Sequence, residues 1–507
     1  MARQRALAGL ALAAVVLLLS GCFQVERSSV SSTGGEGNGP SQRPSLSDDG
    51  RYVAFESTAD NLVAGDTDGV SDIFVRDHVD GTTQLVSVGA GAPPDGASTN
   101  PSISDDGRYV AFTSTATNLV AGDTNGLPDA FVRDRQAGTT ERISLNDATG
   151  PFGTLPARNT GARISGDGRF VVYVESVQPF PVFSVVSIVS VTRSTGERQT
   201  LATTQLFPPV VSGPTGSLAV SDDGSRVVYG IVTTNGGAVY SSGIVRWDRA
   251  TGQTTAVGST GPTTVSLGAL SGDGRVVTLS STADLVPEGD TCGEPPIGAD
   301  LPPECDPDAF VWNPDQDRVE SVTADDTGDR AADPRAVALD EDGTTALFAS
   351  NPASGPVLWA RDLTTGATST VADGVGTGAI TDDGRLVAFA SPQAFGPADT
   401  NGVLDVYVRR ALEPTVSSVE PASLPVGPST ITVHGSGLDS DTTLRAAAGG
   451  ITFTSIEVVD AETLRADVVV DAGAAPVQNL LVDAPGRFAG TSIGAASSVC
   501  SGCLRVG

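Results

Sequence analysis

The chain has 507 residues, 39% of them hydrophobic, and a formal charge of −30 with a pI near 4.2. All 30 basic residues are arginines, set against 60 acidic ones. Phosphate is held by clustered basic side chains, so this balance excludes nucleic acid and anionic lipid headgroups as partners. The length and apolar content supply core for two domains.

Met1 to Gly21 reads as an export leader: Arg3 and Arg5 precede an apolar run from Ala6 to Leu19 that is too short and too early for a permanent span. The run ends Leu19-Ser20-Gly21-Cys22, which resembles the bacterial lipobox. That resemblance implies cleavage before Cys22 and a diacylglycerol on its thiol. The chain is then expected to be exported and anchored by lipid to the outer face of the cell membrane, with no other contact to the bilayer.

From there the chain is organised by one phrase, Ser47-Asp48-Asp49-Gly50-Arg51-Tyr52-Val53-Ala54-Phe55, repeated nearly verbatim from Ser104 to Phe112. Weaker copies turn at Gly168, Gly224, Gly274, Gly343 and Gly384, giving seven in all. Tandem repetition at this spacing points to a propeller or a solenoid. In each copy Asp-Gly sets a tight turn, since Gly accepts positive φ and Asp bonds its own backbone. The apolar runs that follow (Tyr52 to Phe55, Tyr109 to Phe112, Phe170 to Tyr173, Leu386 to Phe389) suit strands covered on both faces. A third strand ends in Val-Arg-Asp, at Arg76 and Arg133, and a polar outer strand follows. Those arginines are expected to pair with neighbouring acids. Four antiparallel strands per copy make a propeller blade. The seventh copy has three strands before Glu413-Pro414, and residues 24–31 resemble the outer strand at Thr140 to Leu145. We expect them to complete blade seven and so hide an open sheet edge.

Between strands two and three lie acidic loops: Asp66, Asp68 and Asp72 in blade one, Asp123, Asn125 and Asp129 in blade two, Asp399, Asn401 and Asp405 in blade seven. Oxygen side chains at i, i+2 and i+6 around a glycine suit a small calcium loop. The same residues suit a hairpin loop in which Asx side chains cap turns. Calcium is the one cofactor the sequence suggests, and none is required.

Beyond Cys22 four cysteines remain, an even number for an oxidising compartment. Cys292 and Cys305 bracket a Gly- and Pro-rich insertion, and Cys500 and Cys503 close a short Ser-Gly spacer. Both pairs are read as structural disulfides. No catalytic residue is assigned. The two histidines, His78 and His434, serve no nucleophile elbow or metal spacing and are read as surface residues. The paired acids Asp48-Asp49, Asp105-Asp106 and Asp382-Asp383 recur with the repeat and are read as turn scaffold.

After Arg410 the repeat stops. Pro414-Thr-Val416-Ser-Ser-Val419-Glu-Pro421 and Ile431-Thr-Val433-His434-Gly435-Ser-Gly437-Leu438 begin short alternating strands that suit a β-sandwich. Residues 490–507 read as a small polar tail.

Residues 43–411 resemble the TolB-type, WD-like propeller repeat family through Pro-x-x-Ser-x-Asp-Gly-Arg-x-x-Ala-Phe-like cores at Pro44 to Phe55 and Pro101 to Phe112. Residues 412–489 resemble the immunoglobulin-like IPT/TIG domain through the two phrases just quoted. The fold class is all-β, a seven-bladed β-propeller over 22–411 followed by a small immunoglobulin-like β-sandwich. The first resemblance implies a binding or scaffold protein of the cell envelope that recognises a protein or glycan partner. An extracellular hydrolase or lyase with an acidic site in the propeller funnel, and a purely structural envelope protein, are the competing readings.

Overall fold

The computed structural model describes residues 25–506, apart from 90–92, 146, 151–152, 181–182, 208–209, 236–237, 261–263, 283–284, 286–307, 323–334, 352–354, 365, 367, 396–398, 411–414, 437, 439–441, 447–448, 461–462 and 485–495. Among the described residues there is no helix, and none that could cross a membrane. Residues 27–408 form one compact unit, and the strands after 409 form another.

In the larger unit each repeat folds as an antiparallel hairpin series. The first sheet holds Ser41–Leu46, Tyr52–Ser57, Asp72–Asp77 and Thr82–Leu85 in that order. The second holds Ser98–Ile103, Tyr109–Ser114, Asp129–Asp134 and Thr139–Arg142. A fourth sheet runs from Val265–Leu270 to Arg318–Ser321, and a fifth from Arg335–Leu339 to Thr368–Asp373. The last, here called the closing sheet, holds Gly378–Ile380, Leu386–Ser391 and Asp405–Arg410, and its outer place is taken by Glu26–Arg27 from the front of the chain. Beyond it Ser28 N–H donates to Val406 O at 2.7 Å, and Ser29 Oγ donates to Asp405 at 2.5 Å.

Copies three and four differ from separate four-stranded units. They share one nine-stranded sheet, from Asp147–Gly150 to Thr254–Thr260. Seven of its nine strands run to 10 to 12 residues, as in Gly153–Ile164 and Phe170–Phe180, against 6 for Tyr52–Ser57. The longer strands run past the repeat's own core, and at their tips Leu206 pairs with Val211 and Phe207 with Val210, stitching one copy to the next.

The core lies between sheets. All six residues of Asp72–Asp77 and the last five of Tyr52–Ser57 are buried. Ala54, Ile73, Val75 and Val86 of the first sheet pack against Ile103, Val110, Phe112 and Phe131 of the second. Each fully buried side chain of this kind contributes roughly 1.5–3 kcal/mol. Phe55 stacks on Phe74 at 5.9 Å, and Phe112 on Phe131 at 5.8 Å. The first strands of the seven copies touch in a closed circuit. Ser41–Leu46 meets Ser98–Ile103, then Gly153–Ile164, Val210–Val220, Val265–Leu270, Arg335–Leu339 and Gly378–Ile380 follow, and the last meets Ser41–Leu46 again. The unit is therefore propeller-like.

A repeated clamp joins neighbours. The Arg135 guanidinium lies 4.4 Å from the centroid of Tyr52 on the preceding sheet, Arg193 lies 4.0 Å from that of Tyr109, and Arg249 lies 4.0 Å from that of Phe170. Each also donates to a turn carbonyl, Gly107, Gly168 and Gly224 respectively. The Val-Arg-Asp arginines bond backbone carbonyls and hydroxyls, and Asp134 adds its charge beside Arg133. Arg133 donates to Val88 O and Thr140 Oγ1, and Arg76 to Gly81 O and Thr83 Oγ1.

The second unit has two four-stranded sheets, one containing Thr415–Glu420, Gly427–Ser436, Thr463–Val470 and Ile451–Asp460. The other contains Ser423–Leu424, Ala496–Val506, Val477–Ala484 and Thr443–Ala446. Alternate residues of Thr463–Val470 are buried, as one covered face requires. Ile431, Val433, Leu464 and Val468 share a core with Leu480, Val482 and Leu504 of the opposite sheet. The end of the chain is thus no tail: residues 496–506 pair with Val477–Ala484 and supply Leu504 to the core.

Candidate functional site

The repeated Ser-Asp-Asp-Gly turns separate two kinds of carboxylate. The second acid belongs to the turn. Ser104 Oγ donates to Asp106 at 2.7 Å, Asp106 accepts the Arg108 amide at 2.9 Å, and Ser104 Oγ accepts the Tyr109 amide at 2.9 Å. Asp49, Asp167, Asp223, Asp273 and Asp383 repeat this. The first acid contributes its backbone instead. Asp48 N–H donates to Asp105 O, Asp105 N–H to Gly166 O, Asp222 N–H to Gly272 O and Glu341 N–H to Asp382 O, linking turn to turn.

Freed from the turn, three first-position side chains converge. Carboxylate oxygens of Asp105, Asp222 and Asp382 lie within 4.8 Å of one another, each half-buried. No hydrogen bond or ion pair to these three carboxylates occurs among the described residues. Gly166 and Gly272 hold the same turn position and make room: a Cβ on Gly166 would stand 2.1 Å from Asp105 Oδ2, and one on Gly272 1.9 Å from Asp222 Oδ2. Burial first, and each other's charge second, push Asp105 and Asp222 up to about 7 and Asp382 up to about 8. Asp48 and Glu341 add to the field. Reading every Asp-Asp pair as turn scaffold missed this cluster. The signal available was the glycine standing in the first position at 166 and 272, where the repeat departs from its own pattern.

The structure brings Asp66, Asp68 and Asp72 together, their carboxylate oxygens within 4.8 Å. Burial pushes Asp72 up to about 7, with Asp66 and Asp68 adding to the rise. In the other two loops an arginine enters. Arg142 lies 3.6 Å from Asp123, while Asp129 accepts from Ser144 at 2.6 Å and from Asn159 at 2.9 Å. Arg27 lies 3.6 Å from Asp399 and 3.3 Å from Asp405, and Asn401 donates to Asp405 at 2.9 Å. Asn125 caps the Leu127 amide at 2.9 Å, which is the Asx-turn role.

Cys22, Cys292 and Cys305 lie outside the described residues. Cys500 and Cys503 share the strand Ala496–Val506, whose register against Val477–Ala484 shifts between Cys500 and Leu504. His78 is not a surface residue: it is 2% exposed and shares a hydrogen bond with Ser28 Oγ at 3.0 Å, tying the front segment to the first sheet. His434 is half-buried in Gly427–Ser436 and pairs with Thr463.

No family model and no curated protein matches the chain. Among solved structures it is similar to TolB from Acinetobacter baumannii, at 14% identity and a TM-score of 0.35, with 62% of each chain covered. It therefore spans about three fifths of that protein's length. It is also similar to hydrazine synthase from Kuenenia stuttgartiensis, at 13% identity and a TM-score of 0.41, covering 72% of this chain and 94% of that one. Oligogalacturonate lyase from Vibrio parahaemolyticus is similar at 13% identity and a TM-score of 0.33, covering 73% of this chain and 96% of that one.

Proposed function

We propose that the chain is an exported, lipid-anchored binding platform. It comprises a seven-bladed propeller with a C-terminal immunoglobulin-like module and recognises an envelope or extracellular protein or glycan. The observation that carries the reading is the trio Asp105, Asp222 and Asp382. Three carboxylates come from three separate turns, within 4.8 Å, with no ion pair to them among the described residues. A cationic group of a partner, an arginine or lysine side chain above all, would relieve their repulsion and return all three to the charged state. The closed circuit of first strands supports the seven-bladed arrangement. The front strand beside Asp405–Arg410 supports 24–31 as the closing element.

The test is binding of arginine-containing peptides to the full chain and to Asp222→Asn and Asp382→Asn variants, by calorimetry at two salt concentrations. Salt-sensitive affinity that falls at least about tenfold in either variant supports the platform. Affinity indifferent to both substitutions removes the trio from the reading.

A second reading, a hydrolase or lyase with an acidic site, is favoured by the same carboxyls being held near neutral pH, where a general acid or base works best. Turnover of an extracellular polysaccharide or peptide that disappears in Asp222→Asn would favour it over the platform.

A further inference from the structure

We propose that the loop from Asp66 to Asp72 holds a divalent cation of the calcium type, in the place that an arginine guanidinium takes in two sister loops. The loops share positive-φ glycines among the described residues. Gly65 and Gly69 have φ of 94° and 65°, matching 85° and 63° at Gly122 and Gly126, and Gly402 has 67°. Their last acids are held alike: Asp72 by Ser87 Oγ at 2.7 Å, Asp129 by Ser144 Oγ at 2.6 Å, Asp405 by Ser29 Oγ at 2.5 Å.

The neighbouring outer strands are in one register, because Val86, Ile143 and Ser28 donate to the equivalent carbonyls of Ile73, Ala130 and Val406. The residue just before each of these three is therefore structurally equivalent. It is Arg142 in the second sheet and Arg27 in the closing sheet, each within 3.6 Å of its loop's first acid. In the first sheet it is Leu85, paired with Phe74 as Arg142 is paired with Phe131.

The acids differ in step. Where the sister loops have Asn125 and Asn401, the first has a third carboxylate, Asp68. One loop therefore carries three acids and no guanidinium among the described residues, and two carry two acids with an arginine. The geometry also leaves an oxygen to be filled. Asp72 is 1% exposed, and its Oδ2 is buried without a hydrogen bond. Asp129 Oδ2 is likewise without a hydrogen bond, but there Arg142 supplies positive charge beside it. A buried carboxylate with an unbonded oxygen and two further carboxylates within 4.8 Å requires a positive charge or a proton. Hard carboxylate oxygens on a glycine-rich bend are calcium ligands, with backbone carbonyls and water filling the remaining positions. Asp66 also borders an open depression lined by Ser31, Asn61 and Thr83, so an ion has access from solvent.

The test uses the full chain carrying Asp222→Asn, which disables the separate turn cluster, and titrates calcium chloride by calorimetry and thermal melting. Two further variants are made in that background, Asp68→Asn and Leu85→Arg. Binding of one calcium, a melting temperature raised by several degrees at saturation, at least about tenfold weaker binding in Asp68→Asn, and loss of that site in Leu85→Arg are expected. Asp68 is exposed, so its variant leaves the core untouched and keeps the test valid should Leu85→Arg misfold. No calcium-dependent heat or melting shift at millimolar calcium, or equal affinity with and without Asp68, overturns the proposal. In that case Asp72 is satisfied by a proton.

Discussion

The α carbon of Gly107 lies so close beneath Tyr52 that a Cβ there would stand 2.1 Å from ring Cδ2. Gly107 belongs to the turn of the second sheet and Tyr52 to the first, so the contact seats one sheet on the next. Gly168 under Tyr109 and Gly224 under Phe170 repeat it. The same glycines have φ near +70°. Gly107→Ala therefore combines a left-handed backbone with overpacking against an aromatic ring, and should destabilise the unit by about 2–5 kcal/mol. A urea midpoint equal to that of the parent chain would contradict this seating.

Ser104 is fully buried and serves one turn twice, donating to Asp106 and accepting the Tyr109 amide. Ser104→Ala leaves that amide without its acceptor in a buried place. A loss of about 1–3 kcal/mol is expected in denaturant unfolding. Ser102→Ala, which removes a single acceptor of the Ile164 amide, should lose less.

Arg27 carries the positive charge between Asp399 and Asp405, and the Asp405 side chain is wholly buried. Arg27→Ala strands that carboxylate and should lower stability by about 3–5 kcal/mol, read from urea unfolding. Adding Asn401→Asp to Arg27→Ala rebuilds the composition of the first loop. The double variant should regain stability on addition of millimolar calcium, and a melting curve that ignores calcium would show the loops to be unlike.

Stability should fall as pH rises through the neutral range. Asp105, Asp222 and Asp382 have folded-state pKa values of about 7 to 8, above the ordinary 3.8. In the window between, the native chain holds protons that the unfolded chain has released, so the slope is negative. Below it the opposite sign applies to Asp134, which Arg108 holds under its ordinary value, and stability is lost as that acid protonates. Melting in chelator should therefore be higher at pH 5 than at pH 8, with a smaller difference in Asp222→Asn. A higher melting point at pH 8 would contradict the clustering.

The repeat was legible because turn chemistry is local: Asp-Gly pairs and apolar runs state their own strands, and residues such as Tyr52 to Phe55 fall where that pattern puts them. The nine-stranded sheet was not, because whether Phe207 pairs with Val210 across a boundary depends on strand length rather than on any turn residue. The strand Ala496–Val506 escaped notice because its small polar residues lack alternation, and its place is fixed by partners such as Leu481, opposite Val499. The convergence of Asp105, Asp222 and Asp382 was signalled only indirectly, by Gly166 and Gly272, because these acids meet only when distant turns are brought side by side. The roles of Leu85 and Arg27 were hidden likewise, since each acts on a loop of another strand.

The pairing of Ser29 with Asp405 joins positions 376 residues apart. During synthesis the front segment can dock on the first sheet through His78 and Thr83, but its pairing with the closing sheet waits until nearly the whole larger unit has been made. The final sheet therefore cannot be finished by its own hairpins. A chain halted anywhere before Asp405 leaves Glu26–Arg27 without its strand partner, and completion of the unit becomes a late, single event.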